Sequence, residues 1–332
     1  MHQADELLTT SSVAPYLIDR GFRIPTAARV VELAGGVSNV VIAVETSDGD
    51  VVVKQSLARL NVPEEWLAPR ERLESEAWAL RLARQLRTTN TPEVLDLDVD
   101  RHVLTIERAP MDWSDWKTRL MTDHIEPATF RQVGEFLHAW HSQRIEGLEL
   151  PATVTDPSTF RALRTDPYLR SVARSHPEVR ERLEDVATRL ETDRSHLIHG
   201  DFSPKNVLVG AGGLWVIDFE VTTLGDPGFD VAFLLCHLVM KAVHLTTARE
   251  RLWAGAREFQ QAYHGPDDCD PAVTRWTLRL LGALLVARVK GQSRAEYLND
   301  GDRARIWTLG EALLDGRVGT WDELEILEAE TP

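Results

Sequence analysis

The chain has 332 residues, 43% of them hydrophobic, which is enough for a large core and for about two domains or lobes. Acids outnumber bases 52 to 37 and leave a formal charge of −15, which argues against a duplex-binding surface and is explained by solubility alone. Two cysteines (Cys236 and Cys269), a start (MHQADELLTT) with no basic or apolar leader, and apolar runs short of the ~20 residues a bilayer demands predict a soluble, cytoplasmic chain with no nucleic-acid or membrane partner.

In chain order, "ARVVEL" (Ala28–Leu33) predicts a strand and "VSNVVIAVE" a second, with "TSDGD" as the hairpin turn into a third, "VVVKQ". Arg70–Leu86 predicts a helix with Leu73, Ala77, Leu80 and Ala83 on one stripe. "HVLTIERAP" predicts a strand that runs into an extended linker ending at Pro110. The rest is mostly helical: Thr129–Gln143, Pro177–Thr192, Val231–His244, Thr247–His264 and Val273–Lys290. The plan is α+β: a small N-terminal sheet lobe (1–106), a connector (107–111) and a larger helical lobe (112–332).

One β-rich stretch interrupts the helical part, "HLIHGDFSPKNVLVGAGGLWVIDFE" (His196–Glu220). "NVLV" and "LWVID" read as strands joined by the turn Gly210–Gly213. A hairpin sets the start of its first strand beside the end of its second, about 4.8 Å away. Asn206 and Asp218 therefore share one rim, and Asp201 precedes Asn206 by five residues. Two carboxylates and an amide oxygen form a hard-oxygen set that suits Mg²⁺ with phosphate. Turn capping accounts for any one of these residues, but not for all three across one hairpin.

Upstream, Lys54 ends an apolar strand, where a charge is costly unless it is paired or reaches water. Glu76 shares the helix face of Leu73 and Leu80, and Glu74 does not, so Glu76 is the better partner. "LAGGVSN" (Leu33–Asn39) between two strands is either a Gly-Gly hairpin turn or a loop whose N–H groups approach phosphate. His138 and His141 lack a third ligand and read as packed or surface histidines. Trp113 and Trp116 follow the connector and are candidates for a ligand platform.

"HGDFSPKN", "VIDFE" and "GDPGFD" resemble the motifs of the aminoglycoside phosphotransferase and choline kinase family, over most of the chain from about Gly35 to the helices beyond Asp230. The resemblance implies a two-lobed protein-kinase-like fold and an ATP- and Mg²⁺-dependent kinase acting on a small hydroxylated molecule. It implies that Asp201 orients the acceptor hydroxyl and takes its proton, and that Asn206 and Asp218 hold the metal. Lys54 would meet the α/β-phosphates and be held by Glu76. Gly35, Gly36, Ser38 and Asn39 would form the nucleotide-covering loop, and Glu107–Ala109 would meet adenine. His199 and Asp230 would hold the catalytic loop. These parts match phosphoryl transfer, which is mostly positioning and charge neutralisation.

Only eleven residues separate Asp218 from Asp230, too few to dock a peptide, so a small acceptor is favoured over a protein. "VVVKQS", "DPYLR" and the spacing in "DFEVTTLGDPGFD" are similar to methylthioribose kinases, whose acidic pair implies that Glu220 also reaches metal. "HGDFS" and the retained Asn206 are more similar to antibiotic phosphotransferases. A pseudokinase would have lost Lys54, Asp201 or Asp218, and all three are present. Glu220, Asp226, Arg288, Lys290 and Glu296 are expected to border the acceptor. Their mixed signs favour a neutral polyol over a polycation.

Overall fold

The computed structural model describes residues 6–33, 37–61, 66–86, 91–265 and 270–331. A short helix α1 (Val13–Asp19) precedes β1 (Val30–Glu32), β2 (Asn39–Val44) and β3 (Val51–Ser56). Helix α2 (Arg72–Ala83), β4 (Val94–Asp98) and β5 (Val103–Glu107) follow. The strands form one antiparallel sheet in the order β1-β2-β3-β5-β4. β2 and β3 are rich in β-branched residues, which suit a pleated, half-buried surface. Alternation along β3 decides the faces. Val51 and Val53 join Val13 and Leu17 of α1 in a small core on one side. Val52 and Lys54 point the other way, toward α2 and the cleft between the lobes. The α2 stripe is buried as its spacing predicts, with Leu73, Ala77, Leu80 and Ala83 all 1% exposed or less.

Past β5 the chain enters β6 (Ser114–Asp115), α3 (Trp116–Met121) and α4 (Pro127–His141). Two single-turn helices, α5 (Ala152–Thr155) and α6 (Ser158–Phe160), lead into a π-helical segment, Arg161–Arg170. The wider i→i+5 turn accommodates Pro167, which has no N–H to give. The carbonyl of Pro167 accepts a bond from the Gln292 N–H (3.1 Å), which ties the segment to the far end of the chain. Then come α7 (Ser171–Ser175), α8 (Arg180–Thr192), β7 (His196–Ile198), β8 (Val207–Gly210), β9 (Gly213–Val216) and β10 (Thr223–Gly225). The last helices are α9 (Gly228–His244), α10 (Arg249–His264), α11 (Pro271–Lys290), α12 (Asp300–Leu314) and α13 (Trp321–Glu330).

α9 is buried along nearly its whole length, between α10, α11 and α12. One continuous apolar cluster runs from Leu73, Leu80 and Leu104 of the small lobe through Phe202 and Phe219 to Leu281 and Leu313. No helix of the described residues is long and apolar enough to cross a membrane. Cys236 is a free, buried thiol, and Cys269 lies outside the described residues.

Candidate active site

The loop after β7 is held from below by one carboxylate. Asp230, in the first turn of α9, accepts the backbone N–H of His199 (2.6 Å) and of Gly200 (2.9 Å). The second of these comes from a residue at φ +75°, where a Cβ would stand 2.6 Å from the Val221 carbonyl, so glycine is required. His141 adds its Nε2 to Asp230 at 3.1 Å and its Nδ1 to the Tyr263 hydroxyl at 2.8 Å, so it is a supporting residue and not half of a metal pair. The tautomer of His199 follows from its neighbours. Nδ1 accepts the Asp201 N–H (3.2 Å), so Nε2 carries the proton and donates to the Ile217 carbonyl (3.1 Å). Burial lowers its pKa, consistent with a neutral ring. One imidazole thus spans the start of the loop and the end of β9.

Asp201 emerges from this frame into the cleft. One carboxylate oxygen takes Arg164 Nη2 at 2.8 Å, and the other takes Lys205 Nζ at 3.0 Å and Asn206 Nδ2 at 2.8 Å. Burial raises the pKa of the carboxyl, but Arg164 and Lys205 outweigh it and hold the group below its ordinary value. Asn206 ends a 3₁₀ turn one residue before β8 instead of opening the strand. Its Nδ2 gives both bonds to Asp201, to the carbonyl and to the carboxylate. Two acceptors on that side fix the amide orientation, and among the described residues Oδ1 accepts nothing.

Asp218 stands at φ +69°, beyond the end of β9, in a backbone conformation that Asp tolerates better than most residues. Its Oδ1 meets Lys54 Nζ at 2.7 Å, and both oxygens of Glu76 meet the same ammonium at 2.7 Å. Burial works against the Lys54 charge, but Asp218, Glu76 and Glu220 outweigh it and raise the pKa above the ordinary value. The Glu76 carboxyl is pushed up by burial and pulled down by Lys54. Burial prevails, and the carboxyl is raised to about 7 while the Lys54 ammonium stays charged. Burial likewise raises the Asp218 pKa, but Lys54 and Lys205 bring it well below the usual carboxylate range.

Glu220 is engaged on both oxygens. Ser38 Oγ donates to one at 2.7 Å, and Asn39 Nδ2 (2.8 Å) and Arg72 Nε (3.1 Å) donate to the other. Arg72 also donates to the carbonyls of Ser38 and Leu57. Ser38 and Asn39 thus spend their side chains on an acid of the large lobe, while Gly35 and Gly36 lie outside the described residues. Carboxylate oxygens of Glu76, Asp218 and Glu220 come within 4.8 Å of one another.

The cleft has a volume of about 1350 Å³, more than the roughly 300–1,000 Å³ of a pocket for one small ligand. Leu33, Val41, Val52 and Ile106 of the small lobe and Leu208 and Ile217 of the large lobe give the cleft an apolar slot. The connector closes its edge. The Glu107 N–H bonds the Glu93 carbonyl and the Arg108 N–H bonds the Asp50 carbonyl, so Ala109 is the first residue whose N–H has no acceptor among the described residues. The Glu107 side chain turns to the Glu93 N–H (3.2 Å) and to Arg84 (3.6 Å). Trp113 lines the cleft and stands edge-on to Trp215 at 5.7 Å, whereas Trp116 is core, packed on Phe130.

Two arginines and one misplaced acid depart from the sequence reading. Arg164 and Arg72 are buried at the heart of the site, and neither was singled out from the sequence. Only the absence of a nearby i+4 acid hinted that Arg164 pairs at long range. Asp226 is not in the cleft. It caps the turn into α9 through the Gly228 N–H (2.8 Å) and takes the Trp276 indole (2.5 Å).

The decisive comparison spans most of this architecture. A family model described as "phosphotransferase enzyme family" matches residues 29–268. The chain belongs to that family. The methylthioribose kinase of Yersinia pseudotuberculosis is 27% identical over 240 residues, covering 63% of this chain and 58% of that kinase. The match therefore spans less than two thirds of the relative's length. Among solved structures, a choline/ethanolamine kinase family protein from Mesorhizobium loti has a TM-score of 0.59 at 17% identity, covering 96% of this chain and 97% of its own. The phosphotransferase APH(2")-IIa, solved with streptomycin and ATP, has a TM-score of 0.53 at 14% identity, covering 93% and 99%. The fold of this family member is the two-lobed kinase-like fold.

Proposed function

We propose that this chain transfers the γ-phosphoryl group of ATP to a hydroxyl of a small molecule, with residues 1–106 holding nucleotide, 107–111 acting as hinge and 112–332 holding the acceptor. The observation that carries this is the position of Asp201: a buried, ionised carboxylate in the same cleft as Asp218, Asn206 and the Lys54–Glu76 pair. The apolar slot fits a base, and the free Ala109 N–H fits its edge. Lys54 would meet the α/β-phosphates when Asp218 turns to metal. Asp218 and the unused Asn206 Oδ1 are hard oxygens of the kind Mg²⁺ takes alongside phosphate, so the residues fit that ion. When bound, it would neutralise charge on the phosphates.

Asp201 is a weak base, because Arg164 and Lys205 stabilise its anion. It suits a reaction in which positioning matters more than early proton abstraction: it orients the acceptor hydroxyl in line and receives the proton late. Lys205, half exposed at the cleft mouth, is placed to leave Asp201 for a phosphate oxygen. With ATP as donor, the cytoplasm is the expected compartment.

The test is a coupled ADP-release assay across sugars, nucleosides, sugar acids and aminoglycosides. Asp201→Asn should lower kcat by roughly 10²–10⁴ while MgATP affinity stays near that of the wild type. Near-normal turnover in that variant would reject the assignment.

A further inference from the structure

At the acceptor end of the cleft cations outnumber acids, in a molecule whose net charge is −15. We infer that this pocket selects a hydroxylated acceptor that also carries an anionic group, anchored by Arg288. The inference rests on the kinase reading above and deepens it.

Arg288, near the end of α11, lines the cleft. Its Nη1 donates to Ser293 Oγ (2.6 Å), to the Ser293 carbonyl and to the Tyr168 hydroxyl (3.4 Å). Its Nε is enclosed with no acceptor, and among the described residues no carboxylate lies within 4.0 Å of the guanidinium. Nη2, by contrast, is neither enclosed nor bonded among the described residues, so a guanidinium anchored through Nη1 keeps one accessible donor for a carboxylate or phosphate.

The surroundings add positive potential. Lys241 is fully buried one turn beyond His237, and its only polar contact among the described residues is the His237 carbonyl at 3.4 Å, with the Tyr297 ring 5.5 Å away. The Tyr297 hydroxyl is itself buried with no partner and lines the cleft. Burial first, then Lys117 and Arg288, push the Lys241 ammonium down to about 7 and outweigh the opposing pull of Asp115.

The acids compensate only in part. Asp201 is held by Arg164 and Lys205, Glu220 by Arg72, and Asp226 lies outside the cleft. Asp115, spent on the N-terminus of α3 through Thr118, and the exposed Glu296 line the cleft with Lys117, Arg288, Lys290 and Arg294. The wall is of mixed sign, as expected, with cations outnumbering acids on these segments. The reach also fits. The guanidinium carbons of Arg164 and Arg288 lie 5.8 and 5.9 Å from the same Tyr168 ring, and Arg164 touches Asp201. An acceptor whose anionic group sits on Arg288 would lie along Tyr168 with a hydroxyl at Asp201.

The experiment compares kcat/KM for matched acceptors: glucuronate and gluconate as carboxylates, glucose 6-phosphate as a phosphate, glucose and ribose as neutral molecules, kanamycin as a polycation. One anionic class should exceed its neutral counterpart by roughly 10- to 100-fold, the range of a charged hydrogen bond. Arg288→Met should erase that ratio, and Arg288→Lys should restore part of it. Calorimetry with glucuronate or glucose 6-phosphate alone, without nucleotide, separates the two readings. Anion binding that depends on Arg288 without phosphate transfer would overturn the kinase assignment and leave the pocket standing. Transfer to neutral sugars or kanamycin with no anionic preference, or no anion binding at all, would overturn the pocket and leave the kinase standing.

Discussion

Asp201 shows how opposing effects set one group's chemistry. Burial alone would raise its pKa, and two cations reverse the sign. Because the native value is depressed, the ionised form and the stability it contributes persist above the ordinary carboxylate value near 3.9 and are lost only as pH falls through the lower, native one. The acid limb of kcat should accordingly lie below about pH 4. Arg164→Met removes the stronger counter-charge and leaves the burial, so the limb should move up by about 1–3 pH units. Arg164→Lys should reverse most of that. An unmoved limb would mean that Arg164 only packs. Metal ligation has its own signature: Asp218→Ala should abolish the Mg²⁺-dependent part of ATP binding in calorimetry, and Asn206→Ala should weaken it less, since a neutral amide contributes less charge than a carboxylate. At this scale the acids were legible and their cations were not. Asp201, Asn206 and Asp218 sit in a short motif with fixed spacing. Arg164 lies 36 residues before Gly200, whose carbonyl it bonds beside Asp201, and Arg72 lies 148 before Glu220, and no local pattern encodes that.

Elements were legible where a period is strong and long. The stripe of α2, the β2–β3 hairpin and the five long helices of the large lobe all follow their hydrophobic pattern. Helix α1, strand β4 ("VLDLD") and helices α12 and α13 were not foreseen. They are short or carry charge on several faces, and their packing partners are distant in sequence. The α11–α12 crossing depends on such a distant match. A Cβ on Gly282 would stand 2.7 Å from the Leu313 Cβ and 2.8 Å from the Gly310 carbonyl, so the helices meet through glycine. Gly282→Ala gains about 1 kcal/mol of helix propensity but forces apart a packed contact, which costs about 1–3 kcal/mol. Overpacking should win. A chemical-denaturation midpoint below that of the wild type is expected, and a higher one would show that the helices shift freely. Since α11 carries Arg288, the same variant should also raise KM for the acceptor more than for ATP.

On the scale of the whole molecule, two carboxylates of the large lobe reach into the small one. Asp218 takes Lys54, and Glu220 takes Ser38, Asn39 and the fully buried Arg72. Glu220 therefore works as a latch between lobes in the ligand-free molecule, and its oxygens are already committed. Glu220→Gln keeps the shape but removes the charge opposite a buried guanidinium, a loss on the order of 3 kcal/mol. Hydrogen exchange should accelerate in β2 and α2 and stay unchanged in α9 and α11, because the latch ties down the former and the apolar cluster holds the latter. The Mg²⁺ dependence of ATP binding should survive in this variant, in contrast to Asp218→Ala, and nucleotide should recover part of the lost stability by binding only the closed, folded state. If Glu220→Gln instead loses Mg²⁺ dependence with no change in small-lobe exchange, then the carboxylate leaves Arg72 for the metal during the reaction, and the latch is a resting contact and not a structural tie.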